Sequence, residues 1–247
     1  MAKMKRPSPI KAVRDIWRER FAGARVIFFA GSIHRGEGTA YSDLDIVVIF
    51  KKVPAAYRLS FVHRGWPVEA FVHDPETLNY FFWEKDRPSG TPSLPTMVME
   101  GKEVPKKNRL SRSLKARARA VLEAGPPKWT EVDIQRARYV ITDVCDDIRA
   151  PRNHAELIAS ASCLYNLLAD FYFRSMGRWS AKSKSVPRKL AEADPKLAKR
   201  FIKAFDGAFS GHKSSLILQL AENILAPYGG FLFDNYKLDA PSDWRKP

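Results

Sequence analysis

Apolar positions in this chain change their period twice. From Ser8, the stretch PIKAVRDIWRERFAG sets Ile10, Val13, Ile16, Trp17 and Phe21 at three- and four-residue intervals, the stripe of an amphipathic helix. Ser8 followed by Pro9 reads as its start, a capping hydroxyl and then a first-turn proline. Over residues 25–73 the helical period gives way to short apolar runs, RVIFFAG, LDIVVIF, YRLSFVH and VEAFVH, punctuated by turn residues. These predict strands of a mostly buried sheet. DPETLNYFFWEKD returns to a helix, capped by Asp74 with Pro75 behind it. The strand signal then fades, and residues 88–95 and 101–107 are expected to be turn-rich connections.

The second half is helical throughout. RLSRSLKARARAVLEA, EVDIQRARYVITDVCDDIRA and NHAELIASASCLYNLLADFYFRSMG carry the 3.6-residue period, and two shorter helices begin near Pro195 and Gly211. Ile134, Ala137, Ile141, Val144, Cys145 and Ile148 form one apolar face. Leu157, Ala161, Leu164, Leu168 and Phe171 form another. The expected fold class is therefore α+β: a mixed sheet with helices over residues 1–105, and an all-α bundle over residues 106–247. The helix at Arg109–Ala124 suits either side of that boundary.

The candidate chemistry lies in FFAGSIHRGEGTAYSDLDIVVIF, residues 28–50. A strand ending in Ile-Val-Val-Ile-Phe has no packing reason to hold Asp43 and Asp45, because a buried charge is costly unless paired. Residues two apart on a strand point the same way, so the two carboxylates repel unless a cation sits between them. Hard divalent ions such as magnesium take such oxygen ligands and also bind phosphate. Gly31 permits close backbone approach to a ligand, and the Ser32 hydroxyl can hold phosphate oxygens. Arg35 adds a cation in the loop. Glu69, a lone acid inside WPVEAFVH, would complete a three-carboxylate cluster able to hold two ions.

A strand, Gly-Ser, ten residues, Asp-Leu-Asp in a strand and an acid on a later strand resemble the nucleotidyltransferase superfamily typified by DNA polymerase beta. The motif spans residues 28–72. The layout with a following helical domain is most similar to the aminoglycoside-type and minimal nucleotidyltransferases. The resemblance implies transfer of a nucleoside monophosphate from a nucleoside triphosphate, ATP foremost, to an acceptor hydroxyl. It implies Asp43, Asp45 and Glu69 as catalytic and magnesium-binding residues, with two ions. It implies nucleotide contacts from Gly31, Ser32, Arg35, Ser42 and Lys184, and an acceptor-binding role for residues 106–247. A general base from the helical half is also known in the family, for which Asp143, Asp146 and Asp147 are candidates. Some members complete the site across a homodimer, which this chain is open to.

Composition bears on the acceptor. The net charge of +15 favours anionic partners. Residues 1–125 hold 23 Lys+Arg against 13 Asp+Glu (+10), which leaves 19 against 14 (+5) for the rest. Arg109, Arg112, Lys115, Arg117 and Arg119 read first as the solvated face of a helix. Trp179 among Arg178, Lys182, Lys184 and Arg188 could stack a base or grip phosphate. These groups suit tRNA or other RNA, whereas the family layout favours a small aminoglycoside-like molecule and is given precedence. Transfer to protein, and a non-catalytic antitoxin-like partner that only binds nucleotide, are the other readings. RAPRNH has the spacing of a ribonuclease motif, but Pro151 and Asn153 make it a turn with a helix cap. His34 and His73 are expected to cap turns or face solvent. Cys145 and Cys163 lack metal spacing and are expected to be reduced core thiols. The basic start lacks a leader's apolar run, and no apolar run spans a bilayer, so the expectation is a cytoplasmic protein without a membrane partner.

Overall fold

The computed structural model describes residues 6–211 and 213–240. The basic start at residues 1–5 lies outside them. The chain divides into two compact units, Met1–Pro126 and Pro127–Pro247.

The first unit begins with α1 (Pro9–Glu19), β1 (Val26–Ala30), the single turn α2 (Gly31–His34), β2 (Leu44–Ile49), β3 (Tyr57–His63) and β4 (Trp66–His73). The sheet runs β3-β4-β2-β1-β5, with β2 and β4 parallel and the other neighbours antiparallel. Its β3–β4 hairpin turns through Arg64 (φ 47°) and Gly65 (φ 83°). Two positive φ values match the right-handed twist of the flanking strands. Arg64 then donates to Asp15 at 2.8 Å and Glu19 at 2.5 Å, fastening the hairpin to α1.

One sheet face carries Ile27, Phe29, Leu44, Ile46, Val48, Val68, Ala70 and Val72, all buried with Ala12, Val13, Ile16 and Phe21. Burying a side chain such as Ile16 contributes about 2 kcal/mol, so the α1 stripe alone fixes which face points inward. The Ser8 hydroxyl makes no cap bond, contrary to expectation, and the helix start rests on Pro9 in its first turn.

The opposite face carries Phe28, Asp45, Glu69, Phe71 and His73. Asp74 caps α3 (Pro75–Tyr80) as expected. Its carboxylate is buried and accepts from Glu76 N at 3.0 Å, Thr77 N at 2.8 Å and Val53 N at 3.1 Å. The helix does not stay α, however. It widens into a π-helix over Phe81–Asp86 and closes with α4 (Arg87–Ser89) at Gly90 (φ 74°).

Residues 88–95 are shorter as a connection than expected, because α5 (Ser93–Glu100) starts inside them and packs on β1 and β2. Residues 101–107 contain β5 (Lys102–Val104), an edge strand paired to β1. Three residues with one apolar side chain carry too little pattern to register as a strand. Helix α6 (Arg109–Ala124) belongs to this unit rather than to the helices that follow, because Leu114, Ala118 and Val121 are buried and α6 packs on α5.

The second unit consists of α7 (Glu131–Arg149), α8 (His154–Ser175), α9 (Val186–Ala193), α10 (Pro195–Gly211) and α11 (Ser215–Leu225). Its core joins Ile141, Cys145 and Ile148 to Leu157, Ala161, Leu164, Leu168 and Phe171, the two faces the periodicity marks. Asn153 caps α8, accepting from Glu156 N at 3.0 Å. Helix α9 occupies part of what reads as a basic loop, so Arg188 sits on a helix. Cys145 is buried, which pushes its thiol up to about 12, but Cys163 is exposed and is not a core thiol.

Candidate active site

Asp43 stands one residue before β2, and Asp45 is the second residue of that strand. Leu44 between them is fully buried on the α1 side, which turns both carboxylates to the other face. Parallel pairing sets Asp45 opposite Glu69 on β4. One carboxylate oxygen from each of Asp43, Asp45 and Glu69 lies within 4.8 Å of the others, and all three residues are half-buried. Two like charges about 4 Å apart repel by about 1 kcal/mol in water and about 4 kcal/mol near a protein surface. The donor set is all oxygen, without thiol or imidazole, which is the chemistry of a hard divalent cation.

Glu69 has a partner that the sequence patterning did not single out. Arg58 lies on β3 two residues from Ser60, which sits opposite Glu69, and its guanidinium donates to the Glu69 carboxylate. The Arg58 side chain is 62% exposed, so the pair is a contact it can leave. In YRLSFVH, Arg58 and Ser60 alternate with apolar residues and so share a strand face, but only the β3–β4 register sets that face beside Glu69.

Gly31 follows Ala30, the residue paired with Asp45. Its φ is +76°, and a Cβ there would overlap the Asp45 carboxylate. Glycine is thus required twice over, by backbone conformation and by the close approach of an acidic side chain. Ser32 comes next and is half-buried. Ser42 is engaged in the loop ahead of Asp43: its hydroxyl accepts from Thr39 N at 2.9 Å and its amide donates to Thr39 O at 3.1 Å. Arg35 donates to Glu37 at 3.1 Å and Glu100 at 3.2 Å. Burial works against its charge, but the two carboxylates outweigh that and raise its pKa.

Comparison with known families gives a match to part of the chain. The sequence profile described as nucleotidyltransferase domain fits residues 10–109. Residues 10–109 are thus similar to a nucleotidyltransferase domain. That domain runs from α1 to the first residue of α6 and contains all five strands and the three acids. A solved structure of a nucleotidyltransferase-like protein from Exiguobacterium sibiricum 255-15 is similar at 14% identity and a TM-score of 0.45, over 88% of this chain and 74% of that one. Comparison with curated proteins gives no match.

The other candidates have the following local settings. Lys184 is exposed on a 3-10 turn of the second unit, outside the nucleotidyltransferase domain. Asp143, Asp146 and Asp147 are exposed on α7, and Asp146 pairs with Arg149. His34 sits 3.2 Å from Glu100 O through Nε2. His73 neither faces solvent nor caps a turn: it is 3% exposed, and burial pushes its pKa down to about 4 against the opposing pull of Asp74. Among the described residues, no helix is long and apolar enough to cross a membrane.

Proposed function

We propose that this protein transfers a nucleoside monophosphate from a nucleoside triphosphate, ATP being the first donor to test, to the hydroxyl of a small molecule, in the cytoplasm. The observation that carries the reading is the three-acid group seated against Gly31, where a Cβ would overlap the Asp45 carboxylate. In the reaction, the acceptor oxygen forms a bond to the α-phosphorus, the bond from that phosphorus to the bridging oxygen breaks, and pyrophosphate leaves.

Asp43, Asp45 and Glu69 would hold magnesium, which when bound supplies neutralisation and orientation of the phosphates. Gly31 leaves room for the Asp45 carboxylate itself, and the Ser32 hydroxyl and nearby amides would donate to the oxygens of the phosphate tail. Arg35 can exchange its carboxylate partners for phosphate. Glu69, freed from Arg58, would accept the acceptor's proton. Asp45→Asn and Asp43→Asn test this: each should keep the fold and abolish magnesium-dependent pyrophosphate release from labelled triphosphate. Near wild-type turnover in either variant refutes the metal assignment.

A further inference from the structure

The sheet face that bears the three acids continues past Glu69 into a cavity of about 380 Å3. Its walls are Tyr57, Arg58, Phe71, His73, Phe81 and Asp86, joined by Ala56, Ser93 and Leu94, all of the first unit. Phe71 and His73 follow Glu69 at alternate positions on β4, so the cavity begins about 7 Å along the strand from the third acid. Arg58 belongs to both places, bonded to Glu69 while its guanidinium lies 5.4 Å from the Phe71 ring centre.

We infer that this cavity holds the body of the acceptor, a neutral, nucleoside-sized molecule with a planar aromatic ring and a free hydroxyl. The inference rests on the nucleotidyl-transfer reading and adds the acceptor's place and chemistry to it. Direction supplies the first argument. The attacking and leaving oxygens of phosphoryl transfer stand roughly in line. Gly31 and Ser32 lie at the β1 end of the group, so the leaving pyrophosphate points there and the hydroxyl must arrive across Glu69, from β4 and β3. The cavity is on that side.

The lining supplies the second argument. Phe71, Phe81 and Tyr57 offer ring faces and edges suited to stacking. His73 is 97% shielded (3% exposed), lines the cavity, and its Nδ1 has no hydrogen-bond partner. An unpaired buried polar atom costs about 1–3 kcal/mol, which a turn of the ring toward a ligand donor or acceptor would recover. The wall contributed by Phe81 and Asp86 is a π-helix, a rare form concentrated at functional sites. The charge lining is close to balanced. Arg58 brings one positive charge, burial raises the Asp86 pKa, and His73 is neutral. Within the cavity a polycation such as an aminoglycoside would meet Arg58 and a single carboxylate, Asp86.

Titration calorimetry on the full chain with adenosine, tyrosol and kanamycin tests this without requiring turnover. Adenosine or tyrosol should bind, Ala56→Trp should weaken that binding at least tenfold by filling the cavity, and His73→Gln should weaken it several-fold. Binding of magnesium with a non-hydrolysable ATP analogue should change less than twofold in Ala56→Trp. Failure of both aromatic probes to bind overturns the inference, as does kanamycin binding that Ala56→Trp abolishes. Equal loss of triphosphate binding in Ala56→Trp also overturns it, by assigning the cavity to the donor's base. If aromatic binding follows the expected pattern and no triphosphate is ever cleaved, the transfer reading fails and the cavity assignment stands.

Discussion

Gly31→Ala should damage both the stability and the chemistry of the first unit, and the two effects can be separated. A non-glycine residue at φ +76° costs about 1–2 kcal/mol. The added Cβ would also overlap the Asp45 carboxylate and its Cβ, so Asp45 must leave its preferred rotamer and its backbone must shift as well, for about 0.5–1.5 kcal/mol more. The sum is about 1.5–3.5 kcal/mol, and near 4 °C in Tm per kcal/mol for a unit of this size the fall is about 6–14 °C. The overlap part should vanish when position 45 has no side chain. In a double-mutant cycle with Asp45→Gly, Gly31→Ala should therefore cost about 1 kcal/mol less than it does alone. Thermal unfolding by circular dichroism gives the stabilities, and calorimetry with magnesium and triphosphate gives the site. An additive cycle, or a Gly31→Ala protein with unchanged Tm and metal binding, would refute the claim that Gly31 is fixed by the Asp45 carboxylate.

Arg58→Ala should tighten magnesium binding in the absence of nucleotide by roughly 2–10-fold, because Glu69 loses the guanidinium that competes with the ion, and should cost under about 1 kcal/mol of stability. Weaker magnesium binding in that variant would contradict the competition. His73 has a folded-state pKa of about 4 against 6.5 for the free group, so the unfolded chain binds its proton first and stability falls as pH drops from 6.5 toward 4. The loss should approach about 3 kcal/mol and should largely disappear in His73→Gln, as read by urea unfolding across that range. Asp74→Ala removes three backbone hydrogen bonds at a buried helix cap and should lower stability by about 2–3 kcal/mol, with Asp74→Asn recovering part. Equal stability of Asp74→Ala and wild type would show that the cap is not what holds α3.

The central features were legible because each rested on a repeated local pattern. Val13, Ile16 and Phe21 recur at helical spacing, and Asp43 and Asp45 flank Leu44 at the start of an apolar strand. Glu69 was legible for the same reason. Arg58 was not, because its meaning depends on a hairpin register that sets β3 beside β4, a non-local pairing that charge and period do not encode. The π-helix at Phe81–Asp86 escaped for a related reason. Aromatic residues over that stretch fit an α stripe about as well, and tertiary packing decides which turn they adopt. Strand β5 and helix α9 were too short to accumulate a period. Gly31 illustrates the reverse case, in which a glycine legible as permissive proves obligatory once Asp45 is seen against it.

The hairpin through Arg64 and Gly65 acts as a ruler for the site. Its two-residue turn counts His63 onto Trp66, and from there three further pairs bring Ser60 onto Glu69, with Arg58 one same-face step beyond. Fastened to α1 by Asp15 and Glu19, the turn has no slack to absorb a change in length. Inserting one residue would shift the count by one and send Arg58 to the opposite face of the sheet, leaving the three acids where they are. Two inserted residues would restore the face but move the arginine about 7 Å along the strand. Natural relatives that alter this turn should therefore do so in steps of two, or surrender the arginine altogether.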